Sequence, residues 1–138
     1  MKIGACIIVP VLFLLACWGF LSCKDTTTSQ NVSDIVFPSS GVSYGKHVEP
    51  LFYRGCAFAY CHGQGSGAGG LNLESYQDLM NATPSVVYAK DTTNSSLVWN
   101  IEGTRGVQQR MPPPPLNSLN ANQINGLKKW ILEGAQNN

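Results

Sequence analysis

The chain has 138 residues, which suits one domain. Its net charge is +1 at pH 7, and Lys and Arg balance Asp and Glu once Lys2 is set aside. There is no basic stripe that could hold a phosphate backbone, so the composition argues against nucleic acid as a partner.

The first 22 residues are typical of an export signal. Lys2 precedes an almost entirely apolar run, 3–21, with no stop-transfer charge cluster behind it. Cys23 follows Phe-Leu-Ser and precedes polar residues, a pattern similar to a bacterial lipobox. It predicts cleavage before Cys23 and a lipid on its thiol, with the protein anchored to a membrane in the periplasm or at the cell surface. Cys17 is a rival site, although it would leave Trp18 at the mature end. An unlipidated secreted product is the other alternative.

Residues 23–43 are rich in Ser and Thr and contain few packing residues, which predicts a flexible tether. About 20 such residues would hold a domain on the order of 25 Å from the lipid. The alternative is that the apolar run 35–37 docks on the domain. The folded domain is predicted over residues 44–138.

The domain is predicted to be all-α with long loops. Helical periodicity and capping residues predict four helices: one that begins after Ser43 and is interrupted by Pro50, one over 75–81, one over 94–102, and one from Asn120 to Gly134. Residues 85–89 are the only strand candidate. Such long loops in a small domain indicate that something other than side chains fills its middle, and a haem would do so.

Cys56, Cys61 and His62 carry the most specific chemical signal. A covalent haem needs two thiols for thioether bonds and an imidazole beside the second thiol, usually spaced C-x-x-C-H. Here four residues separate the cysteines. Cysteines five apart do not share a helix face, because each residue turns about 100°, so residues 57–60 must bulge out of helical form. A disulfide between the cysteines and a zinc site with His62 remain the alternatives.

This arrangement resembles the c-type cytochromes in which C-x4-C-H replaces C-x-x-C-H, and it is similar to the small planctomycete-type cytochrome c domains. The resemblance covers about residues 44–135 and rests on 47–52, 56–63, 70–73 with Tyr76, 94–98, 110–113, and 129–131 with Gly134 and Ala135. It implies a class I cytochrome c-like fold. In such a fold the first and last helices cross, and one covalent haem c lies between them and the loops.

The resemblance also implies the iron ligands. His62 would be the proximal ligand and Met111, within Met-Pro-Pro, the distal one. Prolines after Met111 stiffen this strap, and Met/His ligation raises the reduction potential. The competing candidates are Met80, expected to pack, and His47, expected on a helix surface or in a packing seam.

These features favour an electron carrier over an enzyme. A haem enzyme or a gas or redox sensor would need an open distal site, and no clustered acid–base constellation is present. A haem-free envelope binding module held by a disulfide is the third hypothesis. The expected partners are redox proteins of the envelope and a membrane, with the protein itself a monomer. Arg105 or Arg110 could pair with a haem propionate, although a solvated charge is the plainer interpretation.

Overall fold

The computed structural model describes residues 31–65, 67–107 and 109–138. The predicted signal peptide, the processing sites at Cys17 and Cys23, and the first part of the predicted tether lie outside the described residues. Within the described ranges, no helix is both long enough and apolar enough to cross a membrane.

Short helices joined by long loops make up the described chain. The α-helices are α1 (Glu49–Gly55), α2 (Tyr76–Met80), α3 (Ser96–Glu102) and α4 (Ala121–Leu132), with 3-10 turns at Val32–Asp34 and Ala68–Gly70 and a π-helical segment at Tyr44–Val48. Among the described residues there is no β-strand, and Tyr88 and Asp91 form only an isolated bridge. The all-α prediction is confirmed, and the strand candidate at 85–89 is not a strand.

The first helical segment changes type where Pro50 interrupts it. Ser43 caps the π-helical segment, and its side chain accepts a hydrogen bond from the Lys46 N–H at 3.2 Å. Pro50 then falls in the first turn of α1, where a backbone N–H has no helical acceptor to lose. The buried face predicted for this segment is present in Tyr44, Val48, Leu51 and Phe52.

Helix α4 begins with reciprocal capping. Asn120 accepts from the Gln123 N–H at 3.0 Å, and the Gln123 side chain accepts from the Asn120 N–H at 3.1 Å. Leu127, Trp130 and Ile131 are buried as predicted. The cap therefore fixes where the helix starts, and the apolar face fixes how it packs.

Residues 31–43 do not form a tether in the structure. The Phe37 ring packs against Gly126 of α4, where an added Cβ would lie only 2.1 Å from the ring. Asn122 accepts from the Phe37 N–H at 2.8 Å and donates to the Phe37 carbonyl at 3.0 Å. Three apolar side chains that precede the boundary predicted at residue 44 enter the core: Ile35, Phe37 and Val42. This packing agrees with the alternative in which the apolar run 35–37 docks on the domain.

Three aromatic rings join the first helical segment, α2 and α4. Tyr44 lies edge-on to Tyr76 with ring centroids 5.1 Å apart, and it lies 5.8 Å from Trp130. The Tyr76 hydroxyl donates to the Ala135 carbonyl at 2.8 Å. Burial, followed by the charge of Glu49, raises the pKa of Tyr44 to about 12, so its hydroxyl stays neutral. The first and last helices thus meet at this cluster.

Candidate functional site

A largely apolar cavity of about 420 Å³ lies between α1, α3 and the proline-rich loop. This volume is within the range of about 300–1,000 Å³ that is usual for ligand pockets. Cys56, Cys61, His62 and Met111 all line it. The apolar walls come from three parts of the chain: Phe52 of α1; Leu71, Leu73 and Val86 of the loops, with Leu97 and Ile101 of α3; and Pro112, Pro113, Leu116 and Leu119.

The segment from Cys56 to His62 leaves helical geometry immediately after α1. Tyr60 has a left-handed backbone, with φ 69°, and its side chain is 94% exposed. The His62 N–H donates to the Cys56 carbonyl at 3.2 Å, which closes the loop. The four intervening residues therefore bulge outward and both cysteines reach the same cavity, as the spacing predicts.

Gly63 closes this loop tightly. A Cβ at this position would lie 2.3 Å from the Ala57 carbonyl oxygen, closer than real contacts allow. The Gly63 N–H donates to the Phe58 carbonyl at 3.2 Å. The motif 56–63 includes this glycine, but the reason that no side chain fits there is a contact within the folded loop.

His62 is oriented by a backbone carbonyl. Its Nδ1 lies 3.0 Å from the Leu71 carbonyl oxygen. Because a carbonyl only accepts, Nδ1 carries the proton and Nε2 keeps its lone pair for a metal. The Leu73 N–H donates to the His62 carbonyl at 2.8 Å, so the backbone is also held. A carbonyl acceptor leaves no trace in a side-chain pattern, so the sequence could not name Leu71.

No disulfide joins Cys56 and Cys61 in the structure, contrary to the first alternative considered above. Burial, followed by the charge of Cys61, raises the pKa of Cys56 to about 12, so this thiol stays neutral at physiological pH. As for the zinc alternative, within the described ranges no three His, Cys, Asp or Glu side chains come together as a metal site.

Met111 lines the cavity from the proline-rich loop, whereas both cysteines and His62 line it from the loop after α1. Its N–H donates to the Asn100 carbonyl of α3 at 2.8 Å, which ties the proline-rich loop to a helix. The competing ligands lie elsewhere. Met80 packs against the core, whereas the His47 ring stacks near Phe37 with centroids 5.8 Å apart, and neither lines the cavity.

The donors and walls of this cavity suit a haem. It offers two thiols, an imidazole with Nε2 available, a thioether sulfur and apolar surface for a flat ring. Beside Met111, the Nε of Arg110 is buried with no hydrogen-bond partner, as expected where a bound group supplies an acceptor. Cys56, Cys61 and His62 would hold the haem, and Met111 would lie close to its iron.

The helical fold and this cavity define a protein of the cytochrome c-like class. Residues 59–115 match the family model for planctomycete cytochrome C, and this match supports the similarity to planctomycete-type cytochrome c domains. The match includes Cys61, His62 and Met111 and begins after Cys56. No curated protein and no solved structure matches the chain. The match suggests haem-based electron transfer in general terms.

Proposed function

We propose that this protein is a one-electron carrier of the cell envelope with a single haem c. Thioether bonds from Cys56 and Cys61 hold the haem, with His62 and Met111 as the two iron ligands. The observation that carries the proposal is the gathering of these four side chains around one apolar cavity, with His62 Nδ1 bonded to the Leu71 carbonyl.

The haem supplies a one-electron couple, and the chain determines how it behaves. If His62 and Met111 both bound the iron of a haem held here, no iron position would remain for a substrate, which would favour electron transfer over catalysis. Apolar walls and Met/His ligation both favour a raised reduction potential. The Leu71 carbonyl and the tie from Met111 to Asn100 keep both ligands in place whichever redox state is present.

Partner proteins would approach where the cavity opens to the surface. Tyr60 and Leu116 both line the cavity, yet they are 94% and 45% exposed. A haem edge at this opening would lie within reach of a second redox protein. The sequence has no strongly charged face for steering, so we expect short-lived contacts of mixed apolar and polar character.

The envelope location rests on the sequence of the first 23 residues. We propose that the signal is removed, that Cys23 carries the lipid, and that the monomeric domain stays on the periplasmic or outer side of a membrane.

Haem attachment tests the proposal directly. The wild type is produced with a haem-attachment system, and its denatured gel is stained for covalent haem beside Cys56→Ser, Cys61→Ser, the double variant and the exposed-residue control Tyr60→Ser. We expect stain in the wild type and in Tyr60→Ser, weaker stain in each single cysteine variant, and none in the double variant. A colourless wild type would overturn the proposal.

A further inference from the structure

The Arg110 guanidinium has a buried hydrogen-bond donor that an anion could satisfy. Its Nε is buried and has no hydrogen-bond partner. Its aliphatic stem lies over Gly103, the residue that caps α3, where an added Cβ would be 3.1 Å from the Arg110 Cβ and 3.2 Å from its Cδ. Gly103 has φ 69°, so a glycine both permits the helix end and makes room for the arginine.

A buried N–H without an acceptor is costly, and a charged one more so. Three other cations of the described chain have partners that account for them. Lys128 lies 2.7 Å from Glu102, Lys129 lies 3.8 Å from Glu133, and the Arg105 guanidinium stacks 4.9 Å from the centre of the Trp99 ring. Arg110 has no such partner in the ion pairs, hydrogen bonds and ring contacts found among the described residues.

We propose that Arg110 binds a propionate of the haem, an inference that rests on the proposed function. Thioether bonds would hold the two vinyl-bearing rings of the haem at Cys56 and Cys61, so its two carboxylates would point away from α1. The other parts that line the cavity are loop residues, α3 and the proline-rich loop. Arg110 is not itself one of the lining residues. It lies between the last two of these parts, directly before the lining residue Met111 and against the end of α3.

The chemistry of the pair is complementary. A guanidinium donates two parallel N–H groups to a carboxylate, and the Nε–H is one of those that such a fork uses. The carboxylate would satisfy the Nε that the protein leaves unpaired. Arg54 lines a neighbouring cavity with Gly55 and Phe58, on the side of α1 and the cysteine loop, and is therefore the less suitable cation.

A guanidinium beside the haem would also change the haem's reduction potential. Reduction lowers the positive charge on the iron, so a nearby cation and a neutralised propionate stabilise the reduced state. Removing the cation should lower the reduction potential. A lysine at this position would keep the positive charge but lose the two parallel N–H donors, so it should lower the reduction potential less.

The test compares reduction potentials of the haem-loaded wild type, Arg110→Gln, Arg110→Lys and the exposed control Arg105→Gln. We expect the largest fall in Arg110→Gln, a smaller fall in Arg110→Lys and little change in Arg105→Gln. Gly103→Ala should displace the arginine stem and lower the potential without changing any charge. Equal potentials in Arg110→Gln and the wild type, or a larger fall in Arg105→Gln, would overturn the inference.

A second readout does not depend on the potential. In the reduced, diamagnetic wild type labelled with ¹⁵N, the Arg110 Nε–H should exchange slowly with water and show a contact to the propionate chain. A fast-exchanging signal without that contact would overturn the inference even if the potentials differ. Haem staining of every variant separates the two proposals, because stained protein with an unbound Arg110 leaves the electron-carrier proposal standing.

Discussion

The proposed iron-binding role of His62 depends on a single atom of another residue. The Leu71 carbonyl oxygen, 3.0 Å from Nδ1, fixes both the tautomer and the plane of the imidazole. Met111 is held in a comparable way, by its N–H on the Asn100 carbonyl. At the residue scale the site is therefore built from backbone hydrogen bonds that the sequence does not display.

Loss of the distal ligand should separate haem attachment from haem ligation. Met111→Ala removes the thioether sulfur but leaves Cys56, Cys61 and His62 intact. We expect covalent haem to remain, the reduction potential to fall, and carbon monoxide to bind the reduced iron. Met80→Ala is the matched control, because Met80 packs on the core outside the cavity and should leave the spectrum unchanged.

Gly63 sets the shape of the haem-binding loop. Gly63→Ala forces a Cβ against the Ala57 carbonyl, and we expect it to destabilise the protein by more than about 2 kcal/mol and to reduce haem attachment. Gly65→Ala is the control. It has φ 72° and open space around it, so it should cost only about 1 kcal/mol. Denaturant unfolding with haem staining measures both effects, and equal losses in the two variants would contradict this account of the loop.

At the scale of elements, the segment before residue 44 behaves as part of the domain. Its polar composition predicted a tether, yet two side chains of α4 hold its backbone: Asn122 holds Phe37, and Gln123 donates to the Val32 carbonyl at 2.7 Å. Helix caps at Ser43, Ser75 and Asn120 were predictable because each is a local signal. For this segment the sequence leaves docking of the apolar run 35–37 as an alternative to a tether. The choice depends on a tertiary contact, because Gly126 has no side chain and so leaves room for Phe37 from a distant part of the sequence.

Phe37 should contribute to stability as a core residue does. Phe37→Ala should cost about 3–5 kcal/mol, since the ring is buried and leaves a cavity over Gly126. Val36→Ala, next to it and 70% exposed, should change stability by no more than about 0.5 kcal/mol. Denaturant unfolding of the haem-loaded proteins measures the free energy of unfolding of each variant. Similarly small decreases in both variants would favour the interpretation of this segment as a tether.

Glu133 joins the same segment to α4 in a pH-dependent way. N–H groups of Val42 and Gly41 donate to its carboxylate at 2.8 and 2.9 Å, with Lys129 nearby, and these contacts lower the pKa of Glu133. A lowered folded-state pKa stabilises the protein above the ordinary pKa of a glutamate, and this contribution is lost as the pH falls through the lowered value.

Glu133→Gln should therefore be less stable than the wild type at pH 7, and the difference should shrink as the pH falls below about 4. Thermal unfolding of both proteins between pH 3 and pH 7 measures this. A difference that stays constant across the range would show that the carboxylate charge has no part in holding the segment.

At the scale of the whole molecule, the haem would be part of the core. The cavity of about 420 Å³ is walled largely by apolar side chains from α1, α3 and the loops, including the proline-rich loop. The sequence predicted the all-α class and singled out the four residues Cys56, Cys61, His62 and Met111 that line this cavity. It could not predict the loop closure at Gly63 or the unpaired Arg110 Nε, because both follow from tertiary contacts.

Absorption spectroscopy of the haem-loaded protein, with and without carbon monoxide, tests the central claim most directly. A closed Met/His site predicts sharp bands in the reduced state, a weak far-red band in the oxidised state that Met111→Ala abolishes, and no change on adding carbon monoxide to the reduced wild type. A high-spin spectrum that carbon monoxide alters at once would mean an open distal position, and would contradict the assignment of this protein as a simple electron carrier.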